Sequence, residues 1–150
     1  MKEFVVMKLD LPEYGKIELT FEELNITTDE DYAYHLERHA SYYFWYASIL
    51  NQLNKLLKQK KLDYRTYVAD KIKEIKQNRK ELKTTVKDLE AIVDSDRTAK
   101  FLSNEIINLE AQVERIKDFL YAMSQRHSAL IELSQRERWG LSQYSQSDNA

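Results

Sequence analysis

The sequence predicts a mainly α-helical chain: a long antiparallel helical hairpin of coiled-coil type, preceded by a small β-hairpin. Three observations predict it. No glycine or proline stands between residues 16 and 139, the strongest backbone breakers being confined to Pro12, Gly15 and Gly140. Apolar side chains recur at steps of three and four through two long stretches, the spacing of a helical seam. Near the N-terminus the period changes to two, the period of a strand.

Residues 3 to 24 are expected to form the β-hairpin. Ile17, Leu19 and Phe21 alternate with Lys16, Glu18 and Thr20, after a turn bounded by Pro12 and Gly15, with Phe4 to Leu11 as partner strand. Two strands alone are marginal in water, so the hairpin is expected to lie against a helix or a neighbouring subunit.

The first helix is predicted to begin at Thr28, a capping hydroxyl followed by Asp29, Glu30 and Asp31 at the positive end of the helix dipole. Its seam runs from Tyr32 through Leu36, His39, Tyr43, Tyr46, Leu50, Leu53, Leu57, Lys60 and Tyr64 to Tyr67. A second register, from Ile72 and Ile75 to Leu89 and Val93, is offset from the first, which predicts a kink, stutter or short break near residues 68 to 72. Thr84 and Thr85 could cap a new start, leaving open a separate short helix over about 85–93.

Asp94-Ser95-Asp96-Arg97 carries capping residues and no apolar ones, and the chain reversal is expected there. The last helix follows on a seam from Ala99 to Leu130 and is expected to close at Trp139 and Gly140. This divides the chain into a hairpin extension (1–27), a helical body (28–139) and a flexible polar tail (140–150). One helical hairpin has little interior, so its seams predict self-association into a homo-oligomer.

Hydrophobic residues at 43% and charged residues at 32% are too many for a disordered chain and for a membrane-embedded one respectively, and 150 residues fit one domain. The absence of cysteine excludes disulfides and thiolate metal sites. Charge interrupts the first residues before they could serve as a signal peptide core, so a cytoplasmic protein is expected. The net charge of -2 conceals a division along the chain. Residues 2 to 37 hold three cations against ten acids, whereas residues 55 to 87 hold twelve against four.

No catalytic constellation is found, and no cofactor is expected. His35 and His39 stand one helical turn apart, a spacing that can chelate zinc, but Glu37 is not where a zinc peptidase needs its glutamate, and structural histidines are the better reading. Two glycines cannot build a phosphate cradle, and Asp94 and Asp96 fit helix caps better than an acid–base pair. The basic tract is the more informative feature. Lys58, Lys61 and Arg65 share one helical face, and Lys76, Lys80, Lys83 and Lys87 form a second row, as contact with a phosphate backbone would require. A solvated helical face is the plainer alternative, though four acids do not balance twelve cations. The run Tyr42-Tyr43-Phe44-Trp45-Tyr46 covers most directions around the helix. Tyr43, Trp45 and Tyr64 are the candidates for base stacking, with packing between subunits as the alternative.

The order of these features resembles the UvsY family of recombination mediators of T-even and related bacteriophages, over residues 30 to 139. An aromatic-rich first helix leads into Lys58-Gln59-Lys60-Lys61-Leu62-Asp63-Tyr64, a turn is written Val93-Asp94-Ser95-Asp96-Arg97, and the last helix ends in Arg126 to Ile131 and Arg136-Glu137-Arg138-Trp139. The resemblance implies a ring-like homo-oligomer, in the host cytoplasm if phage-encoded. Such an oligomer would bind single-stranded DNA, contact single-strand-binding protein and help a RecA-like recombinase nucleate. It puts DNA contact on Lys58, Lys60 and Lys61, and oligomerisation on Phe119, Leu120, Met123, His127, Leu130 and Trp139. The N-terminal hairpin, Gln59 and His127 depart from the family pattern. A phage structural or adaptor protein is the alternative reading.

Overall fold

The computed structural model describes residues 7–21, 32–78 and 85–148. Strands β1 (Met7–Leu11) and β2 (Gly15–Leu19) are followed by helices α1 (Tyr32–Asn78), α2 (Val86–Ser95) and α3 (Arg97–Asp148). The outer ends of the expected hairpin and the expected start at Thr28 lie outside the described residues. Among those residues no helix is long and apolar enough to cross a membrane. The chain packs as two compact units, Met1–Leu50 with Arg115–Ala150, and Asn51–Glu114.

In the first unit the hairpin pairs Met7 with Leu19, Leu9 with Ile17 and Leu11 with Gly15. Alternation sends Met7, Leu9, Leu11 and Leu19 into the core and leaves Lys8 and Glu18 outside as an ion pair at 3.7 Å. Gly15 closes the turn at φ +67°, the left-handed region that glycine occupies without a Cβ penalty. The hairpin lies against a helix of its own chain: the Tyr14 hydroxyl is 2.6 Å from Ser48 Oγ, and its ring is 4.9 Å from that of Trp45. Phe21, at φ +58°, turns off the sheet and brings its ring to 4.7 Å from Phe119, which in turn lies 4.1 Å from Tyr46. Tilted pairs of this kind add roughly 0.5–1.5 kcal/mol each beyond their buried area. Tyr46 meets Phe119 while His39 meets His127, so the α1 and α3 segments of this unit run antiparallel.

The second unit repeats that arrangement, Lys60 reaching Glu105 and Tyr67 reaching Asp96. Its core is Leu53, Ile75, Leu89, Val93, Ala99 and Val113. Helix α1 runs unbroken through residues 68 to 72, contrary to a short break there. Without glycine or proline, a shift of apolar register alone does not end a helix. The short helix starts at Thr85, whose hydroxyl accepts from the Asp88 amide while the Asp88 carboxylate accepts from the Thr85 amide, a complete capping box.

Two boundaries differ from expectation. Asp96 stands beside Tyr67 and Lys71, yet α1 continues to Asn78, about 10 Å beyond Lys71 at 1.5 Å per residue. The reversal between α1 and α3 is therefore not made at Asp94–Arg97 alone, which is the junction of α2 and α3. At the other end α3 passes Trp139 and Gly140 and reaches Asp148. One glycine costs a helix only about 1 kcal/mol, and with no proline after it nothing forces a stop.

Candidate nucleic-acid interface

The cations of the second unit divide according to the direction each leaves α1. Leu53, Leu57, Lys60, Tyr64, Tyr67 and Lys71 are buried or half-buried and form the inward seam. Lys55, Lys58, Arg65, Lys73 and Lys76 are exposed and pair with no carboxylate among the described residues. At 100° per residue these five lie within an arc of about 80° opposite the seam, and from Lys55 to Lys76 they extend about 31 Å. Within that arc stand Leu62 and Ala69, both exposed, and no acid. Asp63, Asp70 and Glu74 fall together on one flank, where Asp63 accepts a hydrogen bond from Gln59 at 2.8 Å and Glu74 faces Lys71 at 3.9 Å. An uncompensated row of ammonium and guanidinium groups on one helix face is an electrostatic track for a polyanion.

Two predicted contact residues lie off this track. Lys60 Nζ is 3.2 Å from Glu105 Oε2 and Lys61 Nζ is 3.2 Å from Glu110 Oε1, so α3 carboxylates hold both. Lys58, Arg65 and Lys76 are on the track, while Lys80 and Lys83 lie outside the described residues. Lys55 and Lys73 stand three residues before Lys58 and Lys76 on the same face, but outside the two rows expected from the sequence. On a single helical wheel over the whole of α1 all five cations fall together.

The aromatic candidates do not stand among these cations. Tyr64 sits on the seam side, lining a cavity of about 230 Å³ with Val93, Ala99, Lys100 and Asn104. Tyr43 and Trp45 belong to the first unit, where Tyr43 contacts His39 and Trp45 contacts Tyr14. The residues expected to oligomerise are likewise mostly committed within the chain. Phe119, Leu120, Met123 and Leu130 are buried in the first unit, His127 is half-buried against His39, and only Trp139, 68% accessible, faces outward. A helix seam that finds its partner in the same chain leaves no apolar face over for a second copy at those positions.

The second unit is closed by Asp96. Its carboxylate accepts from the Ala99 amide at 2.9 Å and from the Tyr67 hydroxyl at 2.8 Å, with Lys71 Nζ at 3.8 Å. The Ala99 bond first, then those of Tyr67 and Lys71, hold its carboxyl below the ordinary aspartate value. His35 and His39 do not act as a chelating pair here. Arg126 Nη2 donates to His35 Nδ1 at 2.6 Å, while His39 stacks on His127. Among the described residues no three His, Asp or Glu side chains converge as metal ligands would.

Comparison of the chain with protein-family models, with curated proteins and with solved structures finds no match. The functional reading therefore rests on the residues themselves.

Proposed function

We propose that this chain is a non-enzymatic protein that holds single-stranded DNA along the outer face of α1. The observation that carries the reading is the row Lys55, Lys58, Arg65, Lys73 and Lys76, which on one narrow arc pairs with no carboxylate among the described residues. Its length suits several consecutive phosphates of an extended strand, and Leu62 and Ala69 offer apolar contact between the charges. With no aromatic side chain in the arc, recognition would be through phosphates and tolerant of sequence.

The cellular role we assign is that of a recombination mediator, which loads a RecA-like recombinase onto strand covered by single-strand-binding protein. The resemblance to the UvsY family supports this role, and with it we propose a host-cytoplasmic setting and a homo-oligomer whose contacts lie outside the buried seam of Phe119, Leu120, Met123 and Leu130. A structural or adaptor role is favoured by a different observation: Phe101 and Ile107 of α3 are 62% and 57% accessible, as surfaces for a protein partner are.

Two assays separate these readings. In fluorescence anisotropy with a labelled single-stranded oligonucleotide, the mediator binds and the affinity falls steeply with salt. In a filament-nucleation assay on strand covered by single-strand-binding protein, it shortens the lag of the recombinase. Absence of binding at low salt would overturn DNA binding and leave the adaptor reading. Binding without any effect on the lag would remove the mediator role alone.

A further inference from the structure

The chain has three histidines, and its fold brings them together in the first unit beside one buried arginine. His39 of α1 and His127 of α3 stack with ring centroids 4.1 Å apart and planes 22° from parallel. Nδ1 of each ring is buried and makes no hydrogen bond among the described residues. The groups facing this pair are Arg126 on α3, His35 and Tyr43 on α1, and none of the described ones is a carboxylate. Arg126 is permanently charged, 6% accessible, and donates to His35 Nδ1, so a cation already occupies the site.

Stacked imidazoles attract each other as neutral rings. A proton on either one sets a cation against the face of the other and beside the Arg126 guanidinium, in a place with restricted access to water. The repulsion acts between α1 and α3, because the two rings belong to different helices. We propose that the His39–His127 stack is a proton-operated clasp, holding the α1 and α3 segments of the first unit together at neutral pH and releasing them in mildly acidic solution.

Burial, then His127 and Arg126, depress the His39 pKa below its ordinary 6.5. Its neutral form is thus the one the fold favours. The stability this contributes is present above pH 6.5 and is lost as pH falls from there toward the lower folded value, where both states are protonated.

The test uses the full chain. Thermal melts between pH 7.5 and 5.0 are compared for the wild type and for the His39→Phe/His127→Phe variant, which keeps two stacked rings and removes the protons. The wild type is expected to lose several degrees more than the variant, with amide exchange rising across residues 32–50 and 115–130. In the wild type, nuclear magnetic resonance of the imidazole Cε1–H signals should show His39 titrating below 6.5. Parallel loss of stability in both proteins overturns the proposal. So does titration of wild-type His39 at or above 6.5, whatever the variant does.

Discussion

At Asp96 a single extended residue, φ -68° and ψ 129°, ends α2, begins α3 and ties both to α1. Its amide still bonds to the Val93 carbonyl, and its own carbonyl already accepts from Lys100. Because the folded carboxyl is held below its ordinary value of 3.8, the stability it contributes is present above that value and is lost as pH falls below it. Asp96→Asn keeps acceptors for Ala99 and Tyr67 but removes the charge. Melting curves between pH 5 and 2.5 should therefore show a larger acid-induced loss for the wild type than for this variant, and equal losses would contradict the role given to the carboxylate. Gly140 supplies a second residue-scale test. It lies inside α3 with nothing within 4 Å of an added Cβ, so Gly140→Ala is expected to stabilise the protein by about 1 kcal/mol in denaturant melts.

Helix α1 carries the central argument at the scale of an element, since the direction of each cation decides what it can touch. Replacing Lys58, Arg65 and Lys76 by glutamine should lower the slope of log affinity against log salt by about 2, roughly 0.7 for each lost phosphate contact. Replacing Lys60 and Lys61 instead should leave that slope near the wild-type value and cost at most about 1 kcal/mol per ion pair, since both pairs are partly solvated. The reverse order, measured by anisotropy, would return the site to Lys60 and Lys61. The helical seams, the turn at Pro12 to Gly15, the Thr85 start and the capping residues around Asp96 were legible in the sequence, because each depends on neighbours within a few positions. The neutralisation of Lys60 and Lys61 was not, because their carboxylates lie more than forty residues away. For the same reason the convergence of His39 and His127 could not be read from spacing, and nothing near Gly140 marked the helix as continuing.

Over the whole molecule, charge divides between the two units. The first holds nine basic against fourteen acidic residues and the second fourteen against eleven, so attraction for a polyanion resides in the second despite a net charge of -2. The buried seam of the first unit bears on assembly. Met123 is fully buried, and Met123→Ala is expected to destabilise folding by about 2–5 kcal/mol at every protein concentration, as followed by denaturant melts. A loss that appeared only on dilution would instead assign Met123 to contact between copies.

The most direct test of the central claim is a salt series of single-stranded oligonucleotide binding, comparing the wild type with a variant carrying glutamine at Lys55, Lys58, Arg65, Lys73 and Lys76. If the five exposed cations are the DNA track, the wild-type slope is near -3.5, at about -0.7 per phosphate contact, and the variant's slope collapses toward zero while its helicity is unchanged. A folded variant that binds as tightly as the wild type, with the same salt dependence, would contradict the account.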